Sequence, residues 1–173
     1  MIVLSQFLYM DKVLKKFVMQ DSKKKGQPSR NEITLSLDDC PKTSKEKEYM
    51  EKVPYASAVQ SLMYAILCTR PNICYVVGKV SRYQLNPRPN YWVAVKHILK
   101  YLKRTKDYIL VYLGKDLTPL GYTDSDFQSD RNSRKSSSGL VFTLGGGAIV
   151  WRSIKQSCKW RANMWQPVKL LRK

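Results

Sequence analysis

The chain has 173 residues, 43% of them hydrophobic and 25% charged, and 31 Lys and Arg face only 13 Asp and Glu, a net charge of +18. This length holds one ordinary domain or two small ones with apolar side chains enough for a core, which excludes a wholly disordered chain. No apolar run reaches the roughly 18 residues of a membrane span, and Met1-Ile2-Val3-Leu4-Ser5 lacks the pattern of a signal peptide, so the expected setting is intracellular, cytoplasm or nucleus, with no membrane partner.

In chain order, residues 1–20 are dominated by Phe7, Met10, Val13, Leu14, Phe17 and Val18, whose spacing predicts an amphipathic helix from Gln6 to Met19 capped by Ser5. Residues 21–52 turn polar, with Lys23-Lys24-Lys25-Gly26, Asp38-Asp39 and Pro41, and read as a surface linker. Residues 53–106 carry three helical patterns. One starts near Pro54 and stops near Thr69-Arg70-Pro71, the second is capped by Asn72, and the third opens at Pro89-Asn90 with Trp92, Val95, Ile98, Leu99 and Leu102 on one face. From 107 to 157 the pattern is extended: Tyr108–Leu113, Leu120–Asp124, Gly139–Leu144 and Ala148–Trp151, with Gly145-Gly146-Gly147 as a turn, predict an antiparallel meander. The basic tail 158–173 has no period. The fold class is therefore α+β.

The positive charge is unevenly spread. No acid occurs between Glu51 and Asp107, where Lys96, Lys100, Lys103 and Arg104 accumulate on the third helix, and none follows Asp130. Such stretches fit a polyanion, RNA or DNA, held through its phosphates with strong salt dependence. Arg134-Lys135-Ser136-Ser137-Ser138-Gly139 offers cations and hydroxyls that suit a phosphate, or a hairpin connection with solvated charges. Trp92, Tyr101 and Trp151 sit in periodic segments and read as core, whereas Trp160 and Trp165 have no such context. Cys40, Cys68, Cys74 and Cys158 form no C-x-x-C pair and His97 is the sole histidine, which excludes the common zinc spacings. On a lysine-rich helix, His97 reads as solvated or phosphate-facing. Asp124 and Asp126 end an apolar strand, where carboxylates hold Mg²⁺ or simply satisfy a polar turn.

Several of these segments together resemble copia-type retrotransposon Pol polyproteins. The resemblance lies in Val53–Ala65, Cys68-Thr69-Arg70-Pro71-Asn72-Ile73, Ser81-Arg82-Tyr83-Gln84, His97–Leu102, Gly121–Phe127 and Ser136–Trp151, and it extends from Leu4 to about Ser157. It implies a helical segment like a reverse-transcriptase thumb or connection, followed by an incomplete antiparallel ribonuclease H-like sheet. It also implies an RNA–DNA hybrid as the family's nucleic-acid partner, association with other Pol-derived chains, and Mg²⁺ as cofactor. Asp124 matches the family's first ribonuclease H carboxylate, and Asp126 stands beside it. The polymerase's Tyr-x-Asp-Asp pair does not occur, Asp38-Asp39 lacks its apolar flanks, and the Glu-Ala-Glu helix expected after Lys155-Gln156 is replaced by Cys158-Lys159-Trp160-Arg161-Ala162. The change after Ser157 reads as a frameshift, a mis-spliced exon or a degraded insertion. The expectation is thus a catalytically inactive Pol fragment, Mg²⁺ not functionally bound, with residual nucleic-acid affinity through Lys96, Lys100, Lys103, Arg104, Arg134 and Lys135. The alternatives are a co-opted scaffold paired with another Pol-like chain, and a non-functional product.

Overall fold

The computed structural model describes residues 1–28, 43–114, 117–126, 130 and 133–156, and the backbone of 167–169. Asp38-Asp39, Cys40, Cys158, Trp160, Trp165 and nearly all of the basic tail lie outside the described residues. The chain is α+β and divides into two compact units: a helical one, Gln6–Tyr108, and a strand-bearing one made of Met1–Ser5 and Ile109–Lys173. No described helix is long and apolar enough to cross a membrane.

The helical unit is built from α1 (Phe7–Lys16), α2 (Ser44–Glu51), α3 (Tyr55–Cys68), a 3₁₀ turn at Pro71–Ile73, α4 (Cys74–Ser81) and α5 (Pro89–Thr105). Pro89 starts α5 at a position where no intrahelical donor is lost. Along α5, Tyr91, Val95, Ile98, Leu99 and Leu102 recur at three- and four-residue steps and are at most 1% exposed. Met10 and Leu14 of α1, Val59 and Leu62 of α3, and Val77 of α4 complete the same core. Each such side chain contributes on the order of 1.5–3 kcal/mol by leaving water. Tyr55 is buried with them; its hydroxyl donates to the Val80 carbonyl at 2.8 Å, and burial pushes its phenol far above the ordinary range.

Several expectations need correction here. Ser5 does not cap α1: Gln6 occupies that position, without a side-chain cap bond. Asn72 does not cap the next helix either, because Pro71 opens a 3₁₀ turn first, and its amide donates instead to the Tyr101 hydroxyl. Tyr91, rather than Trp92, fills the first core position of α5, with its ring centroid 4.6 Å from that of Tyr83. The stretch assigned to a linker contains α2, whose start is fixed by Thr43 accepting from the Glu46 N–H at 3.3 Å. Thr43-Ser44-Lys45-Glu46 is a capping-box spacing, a signal present in the chain.

The second unit has two small sheets. β1 (Ile2–Leu4) pairs antiparallel with β2 (Leu110–Tyr112). β3 (Leu120–Asp126), β4 (Ser137–Leu144), β5 (Gly147–Lys155) and β6 (Pro167–Lys169) form a four-stranded antiparallel sheet in the order β5-β4-β3-β6. β2 therefore does not belong to the meander, and β6 lies where no strand was expected. Gly145 and Gly146, at φ 55° and 82°, make the two-residue turn between β4 and β5, which requires positive φ at both positions. At Gly147 a Cβ would stand 2.6 Å from the Val111 carbonyl oxygen, so the approach of β2 demands glycine there. Unlike the helices, the sheet holds little of the core. Ala148, 9% exposed, is its most buried apolar side chain among those described, while Val150 and Ile149 are 52% and 41% exposed.

α1 ends in a reverse turn that glycine would favour. The Met19 N–H donates to the Leu14 carbonyl at 2.8 Å and the Val18 N–H to the Lys15 carbonyl at 3.1 Å, with Leu14 and Met19 both buried. This is the Schellman arrangement, but its left-handed position is a β-branched residue, Val18, at φ 53°. The left-handed backbone costs a side-chain-bearing residue about 1–2 kcal/mol, partly offset by glycine's greater freedom when unfolded. Since Val18 is 84% exposed, Val18→Gly removes almost no packing. It should raise the thermal midpoint by about 2–4 °C for each kcal/mol gained, up to about 1 kcal/mol. An unchanged or lowered midpoint in a calorimetric scan would refute the strain.

Candidate nucleic-acid interface

Lys96, Lys100, Lys103 and Arg104 are spaced four, three and one residues apart, which aligns them along one stripe of α5 opposite its core seam. Lys96, Lys100 and Lys103 are half-buried and Arg104 is exposed. Lys103 is a strut as well as a charge: its Nζ donates to the Ser22 carbonyl at 2.6 Å. The Lys25 N–H donates to the Lys100 carbonyl at 3.4 Å, and a Cβ on Gly26 would lie 2.9 Å from Arg104 Nη1. Residues 22–26 thus run as a ledge along the last turns of α5, with Lys23 and Lys24 exposed. Sequence reasoning left Lys23, Lys24 and Lys25 in a linker; the available signal was a lysine triplet ended by a glycine small enough to pass the Arg104 guanidinium. Among the described residues no acidic side chain pairs with Lys23, Lys24, Lys25, Lys96, Lys100 or Arg104.

His97 is 7% exposed, so it is neither solvated nor phosphate-facing, although it falls on the same side of α5 as Arg104, seven residues on. Trp92 and Tyr101 are half-buried against the core. Arg70, 2% exposed, donates to the Lys106 carbonyl at 3.0 Å just past the end of α5, where a cation complements the helix dipole. Burial pulls its guanidinium below the ordinary value, with Tyr101 and Asp107 opposing that shift. Cys68 and Cys74, half-buried in α3 and α4, are not joined in a disulfide.

In the other unit, Arg134 is exposed and Lys135 half-buried in the β3–β4 connection. Asp124 and Asp126 share one face of β3, two residues apart. Both are already used by the backbone: Asp124 Oδ1 accepts from the Ser125 N–H at 2.7 Å, and Asp126 Oδ1 accepts from the Ser137 N–H. Asp130 is 6% exposed and paired with Lys155 at the end of β5. Gln156 ties the same corner together, donating to Ser138 Oγ at 2.6 Å and Ser125 Oγ at 3.1 Å. Among the described residues no group of three His, Cys, Asp or Glu side chains is placed to hold a metal ion. Asp124 and Asp126 each accept one N–H through Oδ1 and the third acid, Asp130, is paired with Lys155, so the described residues bring together fewer free carboxylates than a pair of Mg²⁺ ions needs for phosphodiester hydrolysis.

The geometry is that of an α+β chain with a cationic helix surface and a strand tipped with carboxylates, and its relatives are retroelement proteins. It is 48% identical over 155 residues, 90% of its length, to the retrovirus-related Pol polyprotein from transposon TNT 1-94 of Nicotiana tabacum, and it spans 12% of that polyprotein. It is 36% identical over 103 residues to the Pol polyprotein from transposon RE2 of Arabidopsis thaliana, covering 59% of this chain and 7% of that one. A third relative, secreted RxLR effector protein 161 of Plasmopara viticola, is 43% identical over 108 residues, 62% of this chain and 76% of the effector. No family model matches the chain, and no solved structure matches it. The chain belongs to the copia-type retrotransposon Pol polyprotein family, as a segment of such a polyprotein.

The corner around Asp130 makes a clear prediction. Asp130→Asn leaves Lys155 without its partner in a partly exposed site, and should lower the stability of the sheet by about 1–2 kcal/mol. Asp124→Asn should cost well under that, because Asp124 is exposed and bonds only its neighbour's N–H. Millimolar Mg²⁺ should leave the thermal midpoint of the unaltered chain where it was. A midpoint that rises with Mg²⁺ and ceases to do so in Asp124→Asn would restore the metal site.

Proposed function

We propose that this chain is a nucleic-acid-binding segment of a Pol polyprotein that does not by itself turn nucleic acid over. In this reading the helical unit follows the polymerase palm, as a reverse-transcriptase thumb or connection would, and β3 to β5 begin a ribonuclease H-like sheet. The observation that carries it is the α5 stripe: Lys96, Lys100, Lys103 and Arg104 on one side of a helix whose other side is core, joined by Lys23 to Lys25. Cations held on a rigid helix suit a phosphate backbone, which fixes position without reading sequence. Arg134 and Lys135 add cationic charge in the β3–β4 connection. Against turnover, the polymerase's Tyr-x-Asp-Asp pair does not occur in these 173 residues, and no acid follows Asp130 in them to complete a two-metal carboxylate cluster. The same reading places the chain inside the cell, beside RNA, DNA and other Pol-derived chains.

Fluorescence anisotropy with a labelled RNA–DNA hybrid tests this directly. Binding should weaken steeply with salt, with a slope of about −3 to −5 in log K against log salt if four to six phosphates are neutralised. With Mg²⁺ present the RNA strand should stay intact. Cleavage by the chain that disappears in Asp124→Asn would make it an enzyme, and salt-insensitive binding would remove the phosphate contacts.

One observation favours a second reading, an interaction or scaffold protein. β5 ends the sheet on one side, and along it Ile149, Val150 and Ile154 are exposed. β2 approaches only the start of β5, at Gly147 and Ala148, and a strand edge with apolar side chains beyond it pairs readily with another chain. The Plasmopara relative, of which this chain covers 76%, carries the name of an effector and not of an enzyme. Light scattering after size exclusion should then show concentration-dependent association that Val150→Lys abolishes. A monomer at every concentration would leave the first reading alone.

A further inference from the structure

We propose that Lys23, Lys24 and Lys25, laid as a ledge on the last turns of α5, form with Lys100 and Arg104 a single site for the phosphate backbone of duplex nucleic acid, and that Lys103 is the positioning residue that assembles it. The proposal rests on the nucleic-acid reading above and assigns it to a surface.

Three contacts fix the ledge. Lys103 Nζ grips the Ser22 carbonyl at 2.6 Å, the Lys25 N–H meets the Lys100 carbonyl at 3.4 Å, and Gly26 passes close to Arg104 Nη1. Upstream, Ser22 is tied to the buried turn after α1, its Oγ donating to the Met19 carbonyl at 2.7 Å. A triplet of lysines that would otherwise move freely is therefore presented at a set distance from the α5 stripe. An ammonium has three donors, and holding Ser22 uses one of them, so the strut keeps its charge.

The chemistry of the surface points to a backbone and not to unstacked bases. The one aromatic residue within Ser22–Gly26 and Lys100–Arg104 is Tyr101, packed against the core with its hydroxyl held by Asn72. A single half-buried ring does not make the run of stacking platforms that single-strand recognition uses. Asp21, exposed and next to Ser22, is the acid nearest in sequence and does not offset five neighbouring cations. Such a cluster repels itself, and a polyanion that releases condensed counterions relieves the repulsion.

The test compares the 173-residue chain with four variants by anisotropy on a labelled RNA–DNA hybrid across a salt series, with circular dichroism as the check of folding. Lys23→Ser, Lys24→Ser and Lys25→Ser together should make the salt slope shallower by about 3 and weaken binding alike on unrelated sequences. Lys103→Met should flatten the slope by more than the one unit expected of a lone phosphate contact, and should speed tryptic cleavage at Lys23 to Lys25. Lys103→Arg, which keeps a donor for Ser22, should recover most of both. Lys25→Pro, which removes the N–H that meets the Lys100 carbonyl without touching the core seam, should act like Lys103→Met and keeps the idea testable if that variant loses helicity. If the triple variant binds the hybrid with an unaltered slope, the ledge is not the site, while the nucleic-acid reading survives. If the unaltered chain does not bind at all, both fall. Anionic vesicles bound by the chain and released by the triple variant, with hybrid binding unchanged, would assign the ledge to a membrane surface instead.

Discussion

The helical unit depends on one packed seam. Tyr91, Val95, Ile98, Leu99 and Leu102 of α5 are essentially sealed from water, and α1, α3 and α4 supply the side chains that seal them. That seam sets the rotation of α5 about its own axis. Once the apolar positions are buried, Lys96, Lys100, Lys103 and Arg104 fall on the side of the helix away from them. The cationic surface is therefore a geometrical consequence of the core.

The two units are stabilised very differently. The helices share a continuous apolar core, whereas the sheet relies on ladder hydrogen bonds, a tight glycine turn and a polar corner. In that corner Asp130 meets Lys155, Gln156 bridges Ser125 and Ser138, and Asp126 holds the Ser137 N–H. Acidic groups at the end of a central strand suit metal-assisted chemistry in principle. Here Asp126 and Asp130 also help to close the connection between β3 and β4.

Much of this was legible in the chain. Helical periodicity located α1, α3, α4 and α5 within a few residues, and the Gly145-Gly146-Gly147 turn and the strands around it followed from β-branched residues and glycine. The failures have physical causes. α2 buries only Met50, so it has almost no apolar period, and only its capping residues announce it. β1 and β6 are three residues long, too short for alternation to be visible, and each depends on a partner distant in sequence. The ledge was missed because lysine runs usually mark solvated connections. What docks it is a pair of backbone carbonyls and one lysine on a helix some eighty positions away, and no local pattern encodes that.

The short pairing between β1 and β2 has a consequence for how the molecule forms. Leu4 lies opposite Leu110, so three residues at each end of the helical unit meet across more than a hundred intervening positions. Closing so long a loop from an unfolded chain costs conformational entropy that three strand positions cannot offset by themselves. Local contacts within and between neighbouring helices form faster than contacts distant in sequence. The expected order is therefore helices first and the β1–β2 pairing late.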